Sequence, residues 1–328
     1  MNMKFLKWCF IILVLLLGLF YREFYTIPGD RKESTVFEIS SGESFKKVAT
    51  RLEEQNLNRG DMLYRIYAKI LGLDTEIKAG RFRLDPNLTP RGILRFLVSP
   101  ENGEISVTIP EGYSIFDIDK RLVSLGLIQK NEFVAWVKGI DATGGPVKAG
   151  NAQISSVEGF FFPDTYFVFS KNFHPSDLVN AMSQNFEKKV FKGLEEELKK
   201  SKRTLVEIVT MASILEKEVR TREDYPIVAG ILWKRLDNNW PLQADATLLY
   251  AKKDRSLSVE ELRNDSPYNT YTRQGLPITP IGNPGLETIK AALNPVNSPY
   301  WFYLTADDGK VIYARTNEEH NENKRKYL

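Results

Sequence analysis

The sequence predicts an α+β protein with an N-terminal transmembrane helix, a small β-α module and a larger mixed α+β domain. Three observations predict this class. One long apolar run opens the chain, a strand–turn–helix pattern occurs twice, and amphipathic helical segments separated by loops follow from residue 157. At 328 residues the chain is long enough for two or three compact units.

The composition argues against several classes of function. The net charge is +3, with nearly equal numbers of acidic and basic residues, so the chain lacks the basic excess typical of nucleic-acid-binding proteins. The single cysteine, Cys9, excludes a disulfide framework and a Cys-rich zinc site. The two histidines, His174 and His320, argue against a histidine-rich metal centre. The basic stretch "NKRKYL" is interpreted as a solvated chain end.

The first 22 residues have the pattern of a membrane anchor. Lys4 and Lys7 precede an uncharged apolar run from Trp8 to Tyr21, at the short end of what crosses a bilayer. The bulky segment "FYREFYTIPGD" that follows contains no small-x-small cleavage site. We therefore expect residues 1–22 to be an uncleaved single-pass anchor in the cytoplasmic membrane, with the N-terminus inside and the remaining chain extracytoplasmic.

Two later segments match each other at a fixed offset. Residues 36–57 align with residues 106–127, and each segment holds an alternating strand, a Gly turn, a Ser N-cap and an amphipathic helix. The first copy opens a predicted module over residues 35–100, and the second opens a predicted domain over residues 104–328. The Gly-rich stretch 138–153 is predicted to be a mobile loop.

The stretch "MASILEKEVR" contains two glutamates on a predicted helix. Glu216 and Glu218 lie on opposite flanks of its apolar face, and a carboxyl group at such a boundary has a raised pKa. A raised pKa keeps a proton available near neutral pH. The pattern alone neither chooses between the two glutamates nor excludes an ordinary solvated helix end.

Three other stretches carry candidate binding residues. In "SSVEGFFFPDTYFVF" three consecutive Phe residues stand beside carboxylates, an arrangement that suits a pyranose ring or, equally, a core strand with a turn. The segment "WPLQADATLLYA" is a groove segment or a helix cap, and "DSPYNTYTRQGLPITPIGNPG" is predicted to form a structured groove wall. No G-x-S-x-G, Walker or H-E-x-x-H motif occurs, so carboxylates are the remaining candidates for chemistry.

Five motifs in fixed order after one anchor give the chain a family resemblance. These are "VEGFFFPDTY", "MASILEKE", "LQADATLLYA", "SPYNTYTRQGLP" and "IGNPGLETIKAALNP". Together they resemble the membrane-anchored endolytic murein transglycosylase family (MltG, YceG-like). The resemblance implies a LysM-like first module, a catalytic domain with a glycan groove, and no metal or cofactor. It also implies that Glu218 is the catalytic acid and base, and it leaves Glu216 with a structural role. The substrate-binding residues that it implies are Glu158, Asp164, Gln243, Asp245, Tyr268, Asn269, Thr270 and Tyr271.

The resemblance further implies a reaction and partners. The expected enzyme is a lytic transglycosylase that cleaves MurNAc-β-1,4-GlcNAc bonds within peptidoglycan strands, leaves 1,6-anhydro-MurNAc ends and limits nascent strand length. Peptidoglycan synthases and the cytoplasmic membrane are the expected partners, and nucleic acid is not. Two alternatives stay open: a hydrolytic muramidase with Asp245 or Asp164 as second carboxylate, and an anchored glycan-binding scaffold without activity.

Overall fold

The computed structural model describes residues 3–143, 156–252, 257–258, 260–306 and 308–327. The chain divides into two compact units. The first contains Met1–Ser106 with Phe167–Phe173, and the second contains Val107–Tyr166 with His174–Leu328. Residues 167–173, which the sequence analysis placed in the larger domain, lie in the first unit. Ser170 illustrates why, because its backbone N–H and its hydroxyl both donate to the carbonyl of Gly103 in that unit.

The first unit consists of one long helix followed by a small α+β core. Its elements are α1 (Met3–Tyr25), β1 (Thr35–Ile39), α2 (Phe45–Glu54), α3 (Asp61–Ile70), β2 (Gly80–Leu84) and α4 (Pro90–Val98). Helix α1 has a mean hydropathy of 2.2 and is long and apolar enough to cross a membrane. Strands β1 and β2 are antiparallel, with Phe37 directly opposite Phe82, and both rings are buried in the core.

Helix α3 was not predicted from the sequence. Its buried face consists of Tyr64, Tyr67 and Ala68, while several of its aliphatic side chains point to solvent. Apolar residues on both the buried and the exposed side obscure the one-sided pattern that identifies an amphipathic helix. The first unit is therefore built as β-α-α-β-α.

The predicted repeat is confirmed as a strand–turn–helix unit. Strand β3 (Glu104–Ile109) and helix α5 (Ile115–Ser124) repeat β1 and α2. The turn glycines Gly42 and Gly112 have the same φ of 76°, a conformation that favours glycine. Ser114 caps α5 in a capping box with Asp117, whereas Ser44 caps α2 without a side-chain hydrogen bond.

The second unit contains most of the helices. Strand β4 (Asp164–Phe169) pairs with β3; it begins in the second unit, and its last three residues belong to the first. The further elements of the second unit are α6 (Glu132–Thr143), α7 (Pro175–Phe186), a π-helical turn (Glu187–Lys192), α8 (Glu195–Lys200), α9 (Leu205–Glu218), α10 (Tyr225–Asp237), α11 (Asp245–Lys252), a 3₁₀ turn (Glu261–Arg263), α12 (Leu286–Leu293), the hairpin of β5 (Phe302–Thr305) and β6 (Val311–Ala314), and α13 (Asn317–Tyr327). The predicted loop 138–153 is helical up to Thr143, and its remainder lies outside the described residues.

Helix α9 is the central helix of the second unit. Residues 208–215 are all buried, and α9 packs against α10, α11 and α12. The capping box between Thr204 and Glu207 starts the helix, and Val219 leaves helical geometry with a ψ of 138°. Glu218 is therefore the last helical residue, which places it where the buried helix reaches the surface of the unit.

Candidate active site

Glu218 is held at the junction of three elements. Its carboxyl accepts a hydrogen bond from the backbone N–H of Ala246, near the start of α11, at 3.3 Å. Its backbone carbonyl accepts a hydrogen bond from the hydroxyl of Thr305, at the end of β5, at 3.1 Å. The C-terminus of α9 is thereby tied to a helix N-terminus and to a strand, so the carboxyl group is held in one place.

The surroundings of Glu218 favour its protonated form. Burial raises the pKa of Glu218 to about 7, and the negative charge of Asp245 acts in the same direction. Hydrogen bonds from Ala246 N–H and from the Tyr303 hydroxyl act in the opposite direction, but they are weaker than the burial. The residue is only half-buried, because it keeps part of its surface on an adjoining cleft. Glu218 can therefore both donate and accept a proton near neutral pH.

The cleft beside Glu218 has a volume of about 380 Å³. Its walls come from six parts of the second unit: α9, α10, the segment before α11, the turn that contains Tyr271, strand β5 and helix α13. The lining residues are Glu218, Arg235, Leu242, Gln243, Tyr271, Phe302, Tyr303, Leu304, Thr305, Asn317, His320 and Lys324. Aromatic rings, hydroxyl groups and two amides thus surround the Glu218 carboxyl, a composition that suits the apolar faces and hydroxyl rims of sugars.

Arg235 joins two walls of the cleft. The residue is buried, its Nε donates to the carbonyl of Trp301 at 2.8 Å, and its Nη1 donates to the carbonyl of Leu242 at 2.9 Å. Because the carbonyls belong to the segments before β5 and before α11, one side chain of α10 fixes both. Its guanidinium also lies 5.2 Å from the centre of the Phe302 ring.

The turn that contains Asn269, Thr270 and Tyr271 is hydrogen-bonded to the segment before α11, which forms one wall of the cleft. Asn269 is buried, donates from its amide to the carbonyls of Leu262 and Asn264, and accepts the N–H of Tyr271 at 2.9 Å. The carbonyl of Thr270 accepts the N–H of Gln243 at 2.9 Å, and the buried Thr270 hydroxyl accepts the N–H of Ala244 at 3.0 Å. Asn269 and Thr270 thus hold the backbone, whereas Tyr271 and Gln243 line the cleft.

Asp245 lies beside the acid. It is exposed at the start of α11, and its carboxylate accepts a hydrogen bond from the hydroxyl of Tyr271. Burial and the charges of Asp245 and Glu218 raise the pKa of Tyr271, so this hydroxyl remains a hydrogen-bond donor.

Three other predicted binding residues do not line this cleft. Glu158 is only 1% exposed and accepts hydrogen bonds from the N–H of Ile115 at 3.1 Å and from the Tyr250 hydroxyl at 2.9 Å. Burial raises the pKa of Glu158 to about 8. Asp164 on β4 forms an ion pair with Lys189 at 2.8 Å, which lowers its pKa. The hydroxyl of Tyr268 is 2.8 Å from that of Thr279.

Glu216 faces a different element from Glu218. Its carboxylate accepts the N–H of Gly285 at 2.9 Å and the hydroxyl of Thr288 at 2.8 Å, at the N-terminus of α12. The bond from Gly285 satisfies a backbone donor at the start of α12, while the Thr288 hydroxyl also bonds the carbonyl of Gly285 at 3.0 Å. These contacts support the interpretation of Glu216 as a structural residue.

The sequence analysis missed the wall formed by β5 and α13. Nothing in the sequence of β5 indicated that Tyr303 and Thr305 contact Glu218. The stretch interpreted as a solvated chain end belongs to α13, and Lys324 in it lines the cleft. The spacing of Asn317, His320 and Lys324 on one helix face was the available signal, but a strongly polar helix gave no reason to expect a role.

Fold and site together define an α+β protein with a candidate membrane-spanning helix and one half-buried acid in an aromatic cleft. The chain belongs to the YceG-like family, whose model matches residues 37–326. A protein of Bacillus subtilis named endolytic murein transglycosylase is 29% identical over 317 residues, which cover 92% of this chain and 87% of that protein.

Two further relatives extend the comparison. An endolytic murein transglycosylase of Streptococcus pneumoniae is 28% identical over 331 residues, which cover 90% of this chain but only 59% of the longer pneumococcal protein. The crystal structure of a yceG-like protein from Listeria monocytogenes superposes with a TM-score of 0.58 at 30% sequence identity, over 89% of this chain and 99% of that one.

Proposed function

We propose that this protein is an endolytic murein transglycosylase in which Glu218 is the only group that transfers protons. The observation that carries the proposal is the half-buried Glu218 carboxyl, with its pKa raised to about 7, beside a cleft of aromatic and hydroxyl-bearing side chains. The names and the coverage of the Bacillus and Streptococcus relatives support the substrate class.

The reaction needs one group that is first an acid and then a base. Protonated Glu218 gives its proton to the glycosidic oxygen between MurNAc and GlcNAc while the bond from MurNAc C1 to that oxygen breaks. The resulting carboxylate takes the proton of the C6 hydroxyl of the same MurNAc, whose oxygen bonds to C1 and closes a 1,6-anhydro ring. Glu218 ends protonated, as it began, and no water is consumed.

The neighbours of Glu218 have positioning roles in this reaction. The Tyr303 hydroxyl and the Ala246 N–H stabilise the carboxylate that forms after the first proton transfer. Gln243 and Tyr271 line the cleft and are placed to hydrogen-bond the sugar rims. Asn269 and Thr270 hold the backbone of the wall, and Asp245 adds negative charge beside Glu218. Glu158, Asp164 and Tyr268 contribute to binding only where a strand extends beyond this cleft.

The proposal includes the location and the partners of the enzyme. Helix α1 spans the cytoplasmic membrane with its N-terminus in the cytoplasm. The cleft lies on the extracytoplasmic side and is part of a groove that binds glycan strands. The first unit is a LysM-like glycan-binding module, an assignment supported by its compact β-α-α-β arrangement. Synthases that supply nascent strands are the proposed partners, and cleavage limits the length of those strands.

Mass spectrometry of uncrosslinked glycan strands after digestion tests the proposal, with the full chain in detergent beside Glu218→Gln. Fragments one water lighter than hydrolysis products are expected from the parent, with a loss of at least about a hundredfold in the variant. Glu216→Gln is the matched control, because it changes a neighbouring carboxylate outside the cleft, and it should keep the activity.

Each other result points to a named alternative. Hydrated ends from the parent would show a muramidase, with Asp245 as the nearest second carboxylate. Undiminished cleavage by Glu218→Gln would remove this residue from the mechanism. Binding of strands without cleavage by the folded parent would favour the scaffold.

A further inference from the structure

Helix α3 in the first unit exposes a continuous apolar stripe. Among the described residues, Met62, Leu63, Ile66 and Ile70 are 67%, 54%, 47% and 76% exposed. At about 100° per residue the four side chains fall within an arc of about 100°, so they form one face rather than scattered points. Single exposed aliphatic residues are ordinary, but a cluster of this kind marks a contact surface.

One edge of this stripe adjoins the candidate membrane helix. Tyr67 lies next to Leu63 around the helix, and its ring stacks on that of Phe24 in α1 with centres 4.2 Å apart. The ring of Phe20 packs edge-on against the Tyr67 ring, with centres 5.8 Å apart. Phe20 belongs to the apolar run that ends at Tyr21. If α1 spans a bilayer, Tyr67 therefore lies at the level where the span leaves the hydrocarbon.

Hydrogen bonds fasten α3 to the same end of α1. The guanidinium of Arg59, two residues before α3, donates to the carbonyls of Arg22 at 2.7 Å, Thr26 at 3.0 Å and Ile27 at 2.8 Å. These three charge-assisted hydrogen bonds to the C-terminal end of α1 and the residues after it fix the position of α3 relative to α1.

The other edge of the stripe is basic. Lys69 and Arg65 follow Met62 around the helix on the side away from Tyr67; Lys69 is exposed, and Arg65 is 3.8 Å from Asp61. An apolar face bordered by Lys and Arg is the pattern of a helix that lies in a membrane interface. Its aliphatic side chains then enter the headgroup region, and its basic groups reach the phosphates.

We propose that α3 is an interfacial helix that lays the first unit on the bilayer surface from which α1 emerges. The occupant of the stripe is lipid, because the stripe continues directly from the contact between α3 and the membrane-spanning helix. The proposal rests on the membrane anchorage within the proposed function. It adds a second attachment, so the first unit is held against the lipid rather than suspended from α1.

Depth-dependent quenching of a fluorescent label tests this surface. The full chain is reconstituted in vesicles of phosphatidylcholine and phosphatidylglycerol, with a label on Ile66→Cys or Ile70→Cys in a Cys9→Ser background. Two controls are used: the parent labelled at Cys9, inside α1, and Ile278→Cys, an equally exposed apolar position in the second unit. We expect lipids quenching near the headgroups to reduce emission at least about twofold at residues 66 and 70 but not at 278.

The controls separate the failure of this proposal from the failure of the anchorage. If the labels at residues 66 and 70 are quenched no more than the label at 278 while the label at Cys9 is quenched, the interfacial helix is wrong and the anchor stands. An unquenched Cys9 overturns the anchorage and this proposal with it. A concentration-dependent change at 66 that is insensitive to lipid quenchers assigns the stripe to a second copy of the chain, which also overturns the proposal.

Discussion

Glu216 and Glu218 stand two residues apart on one helix but have different surroundings. The carboxylate of Glu216 caps the N-terminus of α12, whereas the carboxyl of Glu218 meets Ala246 N–H, the Tyr303 hydroxyl and the cleft. Helical geometry alone separates them, since a step of two residues turns the side chain by about 200°. Substitutions at the two residues can therefore test separately the structural role of Glu216 and the catalytic role that we propose for Glu218.

Tyr303→Phe should move the pH dependence of the reaction. The Tyr303 hydroxyl lowers the pKa of Glu218 by hydrogen bonding, so its removal raises that pKa. In the proposed mechanism protonated Glu218 is the acid, so kcat/KM of the parent should fall as pH rises through about 7. In the variant this fall should begin at higher pH, with kcat reduced about tenfold by poorer positioning.

The measurement is the pH profile of kcat/KM on solubilised strands. Phe302→Leu, which changes the neighbouring cleft residue without removing a partner of Glu218, serves as the control for altered packing. A profile of Tyr303→Phe that coincides with that of the parent would contradict the role of the hydroxyl.

At the scale of elements, α12 depends on Glu216. Glu216→Ala leaves the buried N–H of Gly285 without its acceptor, whereas the hydroxyl of Thr288 keeps the carbonyl of Gly285 as a partner. An unsatisfied buried donor costs about 1–3 kcal/mol. We expect the free energy of unfolding, from urea titration, to fall by that amount, with kcat of the folded enzyme retained. A loss of kcat with unchanged stability would reverse the roles of the two glutamates.

Alanine substitutions at two helical glycines should change the free energy of unfolding in opposite directions. A Cβ on Gly230 of α10 would lie 2.0 Å from the carbonyl oxygen of Val296, so Gly230→Ala must displace backbone and should lower the free energy of unfolding by about 3 kcal/mol or more. A Cβ on Gly139 of α6 would meet nothing within 4 Å, so Gly139→Ala should gain about 0.5–1 kcal/mol. Thermal unfolding of both variants beside the parent measures the difference, and equal shifts would contradict this packing of α10.

The elements were more predictable than their contacts. Caps and apolar periodicity predicted the two strand–turn–helix copies and the helix that carries Glu216 and Glu218, because these signals depend on residues close in sequence. The motif resemblance predicted that Glu218 is the catalytic acid, and this stays a prediction. Its contacts with Tyr303 and Thr305 depend on how distant segments pack, and local patterns carry no information on that.

At the scale of the whole molecule, a buried acid makes stability depend on pH. The pKa of Glu158 is raised by burial from about 4.3 in an unfolded chain to about 8 in the folded protein. Its contribution to stability is therefore complete below about pH 4.3 and is lost as pH rises through about 8. Glu158→Gln should flatten this slope, since an amide does not titrate.

Urea unfolding from about pH 4 to about pH 9 measures the slope, and the difference between parent and variant isolates Glu158 from other groups. Glu218→Gln is the comparison, because the pKa of Glu218 is raised only to about 7. A slope unchanged by Glu158→Gln would show that Glu158 is ionised in the folded protein, held by its hydrogen bonds from Ile115 and Tyr250.

The walls of the cleft are far apart in the chain. Helix α9 carries the acid, whereas β5 and α13 contribute Tyr303 and Lys324 roughly 85 to 105 residues later, which a ribosome at about 5–20 residues per second needs some 4–20 s to add. During that interval a growing chain contains Glu218 without the strand and helix that complete its site. The cleft beside Glu218 is therefore complete only after the ribosome has added α13.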